Sequence, residues 1–186
     1  MAKQIKTKQG LINKLRRFPK EIQEHFKHLE PLINDDYPLK VALGYVFFRL
    51  ELGQNMALYC GVVKLHRANS AVARNAINTH HMTRQKFIEL YKTIYDIELP
   101  EKARQDLKIA ERTRDTVMHG GETTDDRLRN AISLVLEYAI AVNRQLYKKG
   151  QIKPFSGSLR GFAGRSKKLD PKISRFMLKG MGFAIS

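Results

Sequence analysis

Four side chains in one short run have the types and spacing for acid–base chemistry at a phosphate. They are Arg112, Arg114, Asp115 and His119, in Glu111-Arg112-Thr113-Arg114-Asp115-Thr116-Val117-Met118-His119-Gly120. A histidine titrates near neutrality and can accept or donate a proton there. An arginine is a permanent cation whose planar fork grips a phosphate through two parallel hydrogen bonds. Asp115 precedes His119 by one helical turn, so its carboxylate could orient the imidazole or hold its proton.

On an ideal helix, at about 100° per residue, Ala103, Leu107, Ala110 and Val117 form an apolar stripe. Arg114 falls inside that stripe and lies about 140° from His119. Arg112 and Asp115 lie within about 40° of His119. Two readings follow. Either Arg114 points into a groove between helices or subunits and reaches the site along its length, or Arg112 is the phosphate clamp and Arg114 is structural.

The run resembles the signature of the HEPN superfamily, an Arg with a polar residue beside it and a His after a gap of four to six. Arg114-Asp115 followed by His119 matches the four-residue gap, and Arg112 to His119 the six-residue gap. The context matches as well: a helix end, a glycine turn and a strongly amphipathic helix. The likeness covers roughly residues 20–148; the two basic ends resemble no family. It implies a four- to five-helix bundle that pairs as a homodimer and cuts RNA without metal, leaving a cyclic phosphate. It also implies a role as a toxin or in defence, while other members only bind. Cleavage by the 2′-hydroxyl needs a proton acceptor, a proton donor and a group that steadies the charged phosphorane, and the family pattern favours Arg114 as the clamp.

The elements that must hold these residues are all helical by pattern. No sustained period-two alternation and no Asn-Gly or Asp-Gly hairpin turn is present, so an all-α fold is expected. Residues 1–19 read as a mobile basic arm with one helical turn near Leu11–Leu15. Pro19 opens a short helix to Leu29. A long helical stretch covers Leu39–Thr79, with Val41, Tyr45, Phe48, Leu52, Met56, Tyr59, Val63 and Leu65 along its broad apolar face. Gly53 and Ala68-Asn69-Ser70 are its expected breaks. The next helices cover Thr83–Tyr95 and Pro100–His119, the latter stopped by Gly120-Gly121. A last bundle helix follows the cap Thr123-Thr124-Asp125, with the stripe Leu128, Ile132, Val135, Ala139, Val142 and Leu146. The short connection makes these last two an antiparallel pair with His119 exposed near its tip. The expected organisation is an arm (1–19), a bundle (20–149) and a basic Gly/Ser-containing tail (150–186) with a short helix at Lys172–Lys179.

The formal net charge of +16 is carried by the ends. Residues 1–20 hold seven Lys/Arg and no acid, residues 148–186 hold ten against Asp170 alone, and residues 21–147 are balanced. A neutral body with basic ends suits a polyanion, with RNA or another nucleic acid the first choice. Lys153, Arg160, Arg165, Lys167 and Lys168 of the tail, with Arg67, Asn69 and Arg74 of the long helix, are the expected substrate-binding residues. The Phe176-Met177-Leu178 patch could dock a regulatory protein. The one cysteine, Cys60, cannot form an internal disulfide and reads as a buried packing residue. No segment is long and apolar enough for a membrane span, so a cytoplasmic protein with no membrane partner is expected. No cofactor is expected. His80-His81 point about 100° apart on a helix and make poor joint metal ligands. His25 and His28 read as a solvated face.

Overall fold

The computed structural model describes residues 5–35, 37–79, 82–158 and 168–185. They form nine α-helices and no strand among the described residues, so the fold is all-α. The helices are α1 (Lys8–Arg16), α2 (Lys20–His25), α3 (Leu29–Asn34), α4 (Leu39–Cys60), α5 (Ser70–Thr79), α6 (Arg84–Tyr95), α7 (Glu101–Met118), α8 (Asp125–Gly150) and α9 (Pro171–Gly180). None is long and apolar enough to cross a membrane. The chain divides into two compact units. One comprises Met1–Leu52, Pro100–Val142 and Phe155–Gly157; the other comprises Gly53–Leu99, Asn143–Pro154 and Ser158–Ser186.

The first unit contains more of the N-terminus than composition suggests. The mobile-arm expectation fails from Thr7 onward. The Thr7 hydroxyl caps α1 by accepting from Gly10 N–H at 2.9 Å. Leu11, Ile12 and Leu15 are at most 4% exposed. Burying three such side chains stabilises the helix by roughly 1.5–3 kcal/mol each, far more than its basic residues cost. Lys14 donates to Ser133 Oγ at 2.7 Å and pairs with Glu137 at 2.9 Å, which joins α1 to α8. The helix expected from Pro19 to Leu29 stops at His25 as α2, and Leu29–Asn34 forms a second short helix, α3.

The face of α4 within this unit is also not the expected one. Leu39, Ala42, Leu43, Val46, Phe47 and Leu50 are buried, whereas Val41, Phe48 and Leu52 are 42%, 58% and 39% exposed. This helix is apolar nearly all round, so periodicity alone gives no direction. By contrast α8 has one clear apolar side, and all six residues of its expected stripe are buried.

In the second unit the long helix breaks at the Ala68 region and not at Gly53. Residues Gly61–Leu65 form a π-helical turn, an arrangement that disturbs the regular hydrogen-bond ladder. The Tyr95 hydroxyl donates to Ala57 O at 2.6 Å, a buried bond. Gly61 sits where an added Cβ would overlap the Ile94 side chain and come within 2.9 Å of the Tyr95 ring. The expected stripe of α6 (Phe87, Leu90, Tyr91, Ile94 and Tyr95) is buried throughout.

The tail from Lys168 onward is part of this unit. Leu169 N–H donates to Arg67 O at 2.8 Å, and Asn69 N–H donates to the buried Ser174 hydroxyl at 2.9 Å. Asp170 caps α9 through Lys172 N–H, with Pro171 in the first turn. Leu178 and Phe183 are buried, whereas Ile173 and Phe176 are 54% and 82% exposed.

Candidate functional site

The candidate site stands at the C-terminal end of α7, in the first unit. Gly121 N–H donates to Thr116 O at 2.8 Å and Gly120 N–H to Val117 O at 3.1 Å. Those two bonds are the Schellman pattern, with His119 as the cap residue. Gly120 has φ +75°, a left-handed conformation that favours glycine. A Cβ on Gly121 would come within 2.9 Å of the Thr116 side chain and 3.0 Å of its carbonyl oxygen. The glycine pair therefore fixes where His119 leaves the helix.

His119 is exposed, and its ring has no hydrogen-bond partner among the described residues. Its backbone N–H donates to Asp115 O at 3.0 Å. The Asp115 carboxylate is engaged elsewhere: Arg114 Nε and Nη2 both donate to Asp115 Oδ1, at 3.0 and 2.8 Å. The Arg114 guanidinium also lies 4.7 Å from the centroid of Phe47 on α4. That contact explains how an arginine occupies an apolar stripe. Its stem covers the core while its charged plane rests on an aromatic face. Arg112, on the His119 side of the helix, is exposed, and its guanidinium has no partner among the described residues. Its carbonyl accepts from Thr116 Oγ1 at 2.9 Å.

An open cleft of about 640 Å³ adjoins this end of α7. Val117, Gly120 and Gly121 line it together with Tyr37, Lys40 and Lys8. Sequence spacing gave no sign of this cleft, because its walls come from three separate stretches of chain.

The expected substrate-binding residues that are described lie in the second unit. Arg67 is exposed, with a left-handed backbone (φ 58°). Asn69 caps α5: its Oδ1 accepts from Ala71 and Val72 N–H at 3.0 and 3.2 Å. Arg74 lies 5.9 Å over the Tyr59 ring, beside a shallow depression lined by Ser70, Asn75 and Asn78. Lys153 lies 5.1 Å over the Tyr147 ring, and Lys168 donates to Val63 O at 3.0 Å. Arg160, Arg165 and Lys167 lie outside the described residues, as do His80 and His81. Among the described residues no three His, Cys, Asp or Glu side chains converge as metal ligands would.

Two histidines and the cysteine contrast with one another. His25, expected on a solvated face, is 3% exposed. Its Nε2 bonds Arg49 O at 2.9 Å, Arg49 Nε donates to His25 O at 2.6 Å, and Arg49 Nη2 donates to His25 Nδ1 at 3.2 Å. The ring protonated on Nε2 donates to Arg49 O and accepts from Arg49 Nη2 at Nδ1, whereas Ser156 O, 3.3 Å from Nδ1, is met only by a ring that carries a proton there. Burial lowers the pKa of His25 from its ordinary value, and the Arg49 charge lowers it further. His28 stays exposed, edge-on to Tyr45. Cys60 is fully buried, and burial pushes its thiol up to about 12.

Comparison of the chain with protein families, with curated proteins and with solved structures returned no match.

Proposed function

We propose that the protein is a metal-independent endoribonuclease of the HEPN type. The observation that carries this reading is the pairing of an exposed His119, fixed at a Schellman cap, with an unengaged Arg112 on the same side of α7. His119 removes the proton of an RNA 2′-hydroxyl. The freed oxygen attacks the adjacent phosphorus, the bond to the 5′-oxygen breaks, and that oxygen takes up a proton as it leaves. The products are a 2′,3′-cyclic phosphate and a 5′-hydroxyl. Arg112 steadies the phosphorane charge, and Asp115 and Phe47 hold Arg114 at the rim of the site. The basic ends gather the polyanion and make binding strongly salt-dependent.

A homodimer fits the same reading. One histidine cannot serve at once as base and as acid on opposite sides of the phosphorus, whereas two facing copies supply both. The exposed Val41, Phe48 and Leu52 of α4, with Ile109 and Met118 of α7, offer apolar surface for the pairing.

One observation favours a second reading, a non-catalytic nucleic-acid-binding module. Asp115 is paired with Arg114, which leaves the His119 ring with no orienting carboxylate. Incubation of a labelled mixed-sequence RNA in EDTA decides between the two. Cleavage by the unmodified protein, lost in His119→Ala and reduced in Arg112→Ala, supports the nuclease. Equal RNA binding by both proteins, with no cleavage by either, supports the binding module.

A further inference from the structure

We infer that the cleft beside α7 is a nucleotide-binding site selective for guanine. Its volume, about 640 Å³, falls in the range of small-molecule sites, roughly 300–1,000 Å³. Five of its side chains, Lys8, Tyr37, Lys40, Glu122 and Thr123, have no hydrogen-bond or ion-pair partner among the described residues. Each therefore has its full bonding capacity available to a ligand.

The chemistries are complementary to the parts of one nucleotide. Tyr37 is 52% exposed and offers an aromatic face on which a base can stack. Lys8 and Lys40 are exposed cations suited to the phosphate. The N-terminus of α8 is the weaker phosphate position, because Asp125 and Asp126 stand in its first turn. Asp125 is itself drawn to Arg129, at 3.7 Å.

Glu122 sets the selectivity. An ionised carboxylate only accepts hydrogen bonds, through two oxygens. Guanine presents two adjacent N–H donors on its Watson–Crick edge, at N1 and N2, and so can satisfy both oxygens. Adenine and cytosine place one amino group beside a ring nitrogen that repels the second oxygen. Uracil places its single N–H between two carbonyls. The backbone turn Gly120-Gly121 belongs to both the cleft and the His119 cap, although the His119 side chain does not itself line the cleft. That the nucleotide belongs to an RNA strand rests on the ribonuclease reading; the recognition of guanine does not.

The test is equilibrium titration of the full chain with 5′-GMP, AMP, CMP and UMP, repeated with Glu122→Gln and Tyr37→Ala. A parallel arm uses His119→Ala protein with a short RNA carrying one guanine and with a guanine-free RNA. GMP is expected to bind about tenfold more tightly than the others, in line with one bidentate base contact. Glu122→Gln abolishes that preference, and Tyr37→Ala weakens all four nucleotides. Preference for the guanine-containing RNA as well identifies an RNA residue as the occupant; preference for GMP alone identifies a free nucleotide. Equal or absent binding of the four nucleotides, or a preference that survives Glu122→Gln, overturns the inference. Absence of RNA cleavage by the unmodified protein in EDTA, with guanine selectivity intact, counts against the nuclease reading alone.

Discussion

The guanidinium of Arg114 lies 4.7 Å above the ring of Phe47, so the two arginines of the motif do different work. Arg114 packs on α4 and pairs with Asp115, whereas the Arg112 guanidinium on the same helix has no partner among the described residues. Arg114→Ala is expected to lower stability by about 1 kcal/mol, from the lost cation–ring contact and stem packing. Arg112→Ala should leave the urea midpoint unchanged while reducing cleavage. If Arg112→Ala destabilises as much as Arg114→Ala, this division of roles is wrong.

Two glycines of opposite consequence lie along the α4 stretch. A Cβ on Gly61 would collide with Ile94 and Tyr95, whereas nothing lies within 4 Å of one on Gly44. Gly61→Ala should cost roughly 1–3 kcal/mol by overpacking. Gly44→Ala should stabilise by about 0.5–1 kcal/mol, because alanine is the better helix former at an open interior position. Thermal melts of the two variants should move in opposite directions.

His25 makes stability sensitive to acid. The unfolded chain protonates this imidazole near 6.5, whereas the folded protein holds its pKa lower. As pH falls from 6.5 towards the folded value, the unfolded state takes up the proton first, and the stability present above that window is progressively lost. Urea unfolding at pH 7.5 and at pH 5 should show the drop. His25→Gln, which can still donate to Arg49 O but does not titrate, should show a smaller one. An identical pH dependence in the two proteins would count against His25 as its source.

With its thiol pushed up to about 12 and no exposed surface, Cys60 should be inert in the native protein. Iodoacetamide at pH 8 should label it only after denaturant is added. Cys60→Ser, which buries a hydroxyl in an apolar run, is expected to cost about 1–3 kcal/mol. Fast labelling of the native chain would show that the second unit opens around this residue.

Legibility in the sequence followed how sharply each helix is divided into two faces. The stripes of α6 and α8 were readable because charged residues mark their outer sides. That of α4 is not, since apolar residues surround it, and Val41, Phe48 and Leu52, which helical spacing puts on the apolar face, are exposed. In α1 the lysines and arginines concealed the Leu11, Ile12 and Leu15 contacts. His25 sits on a six-residue helix, too short to display a face. The motif run Arg112–His119 was visible as a linear pattern, but the Arg114 contact with Phe47 spans two helices. The cleft at Tyr37 left no linear trace at all.

The bond from Lys14 to Ser133 spans 119 residues of chain, and this separation bears on synthesis. At roughly 5–20 residues per second, α1 waits about 6–24 s after its own translation before the α8 residues that hold it exist. Through that interval Leu11, Ile12 and Leu15 have α3 as a native neighbour but not α8. The basic residues interspersed among them, Lys8, Lys14, Arg16 and Arg17, keep the waiting segment in solution.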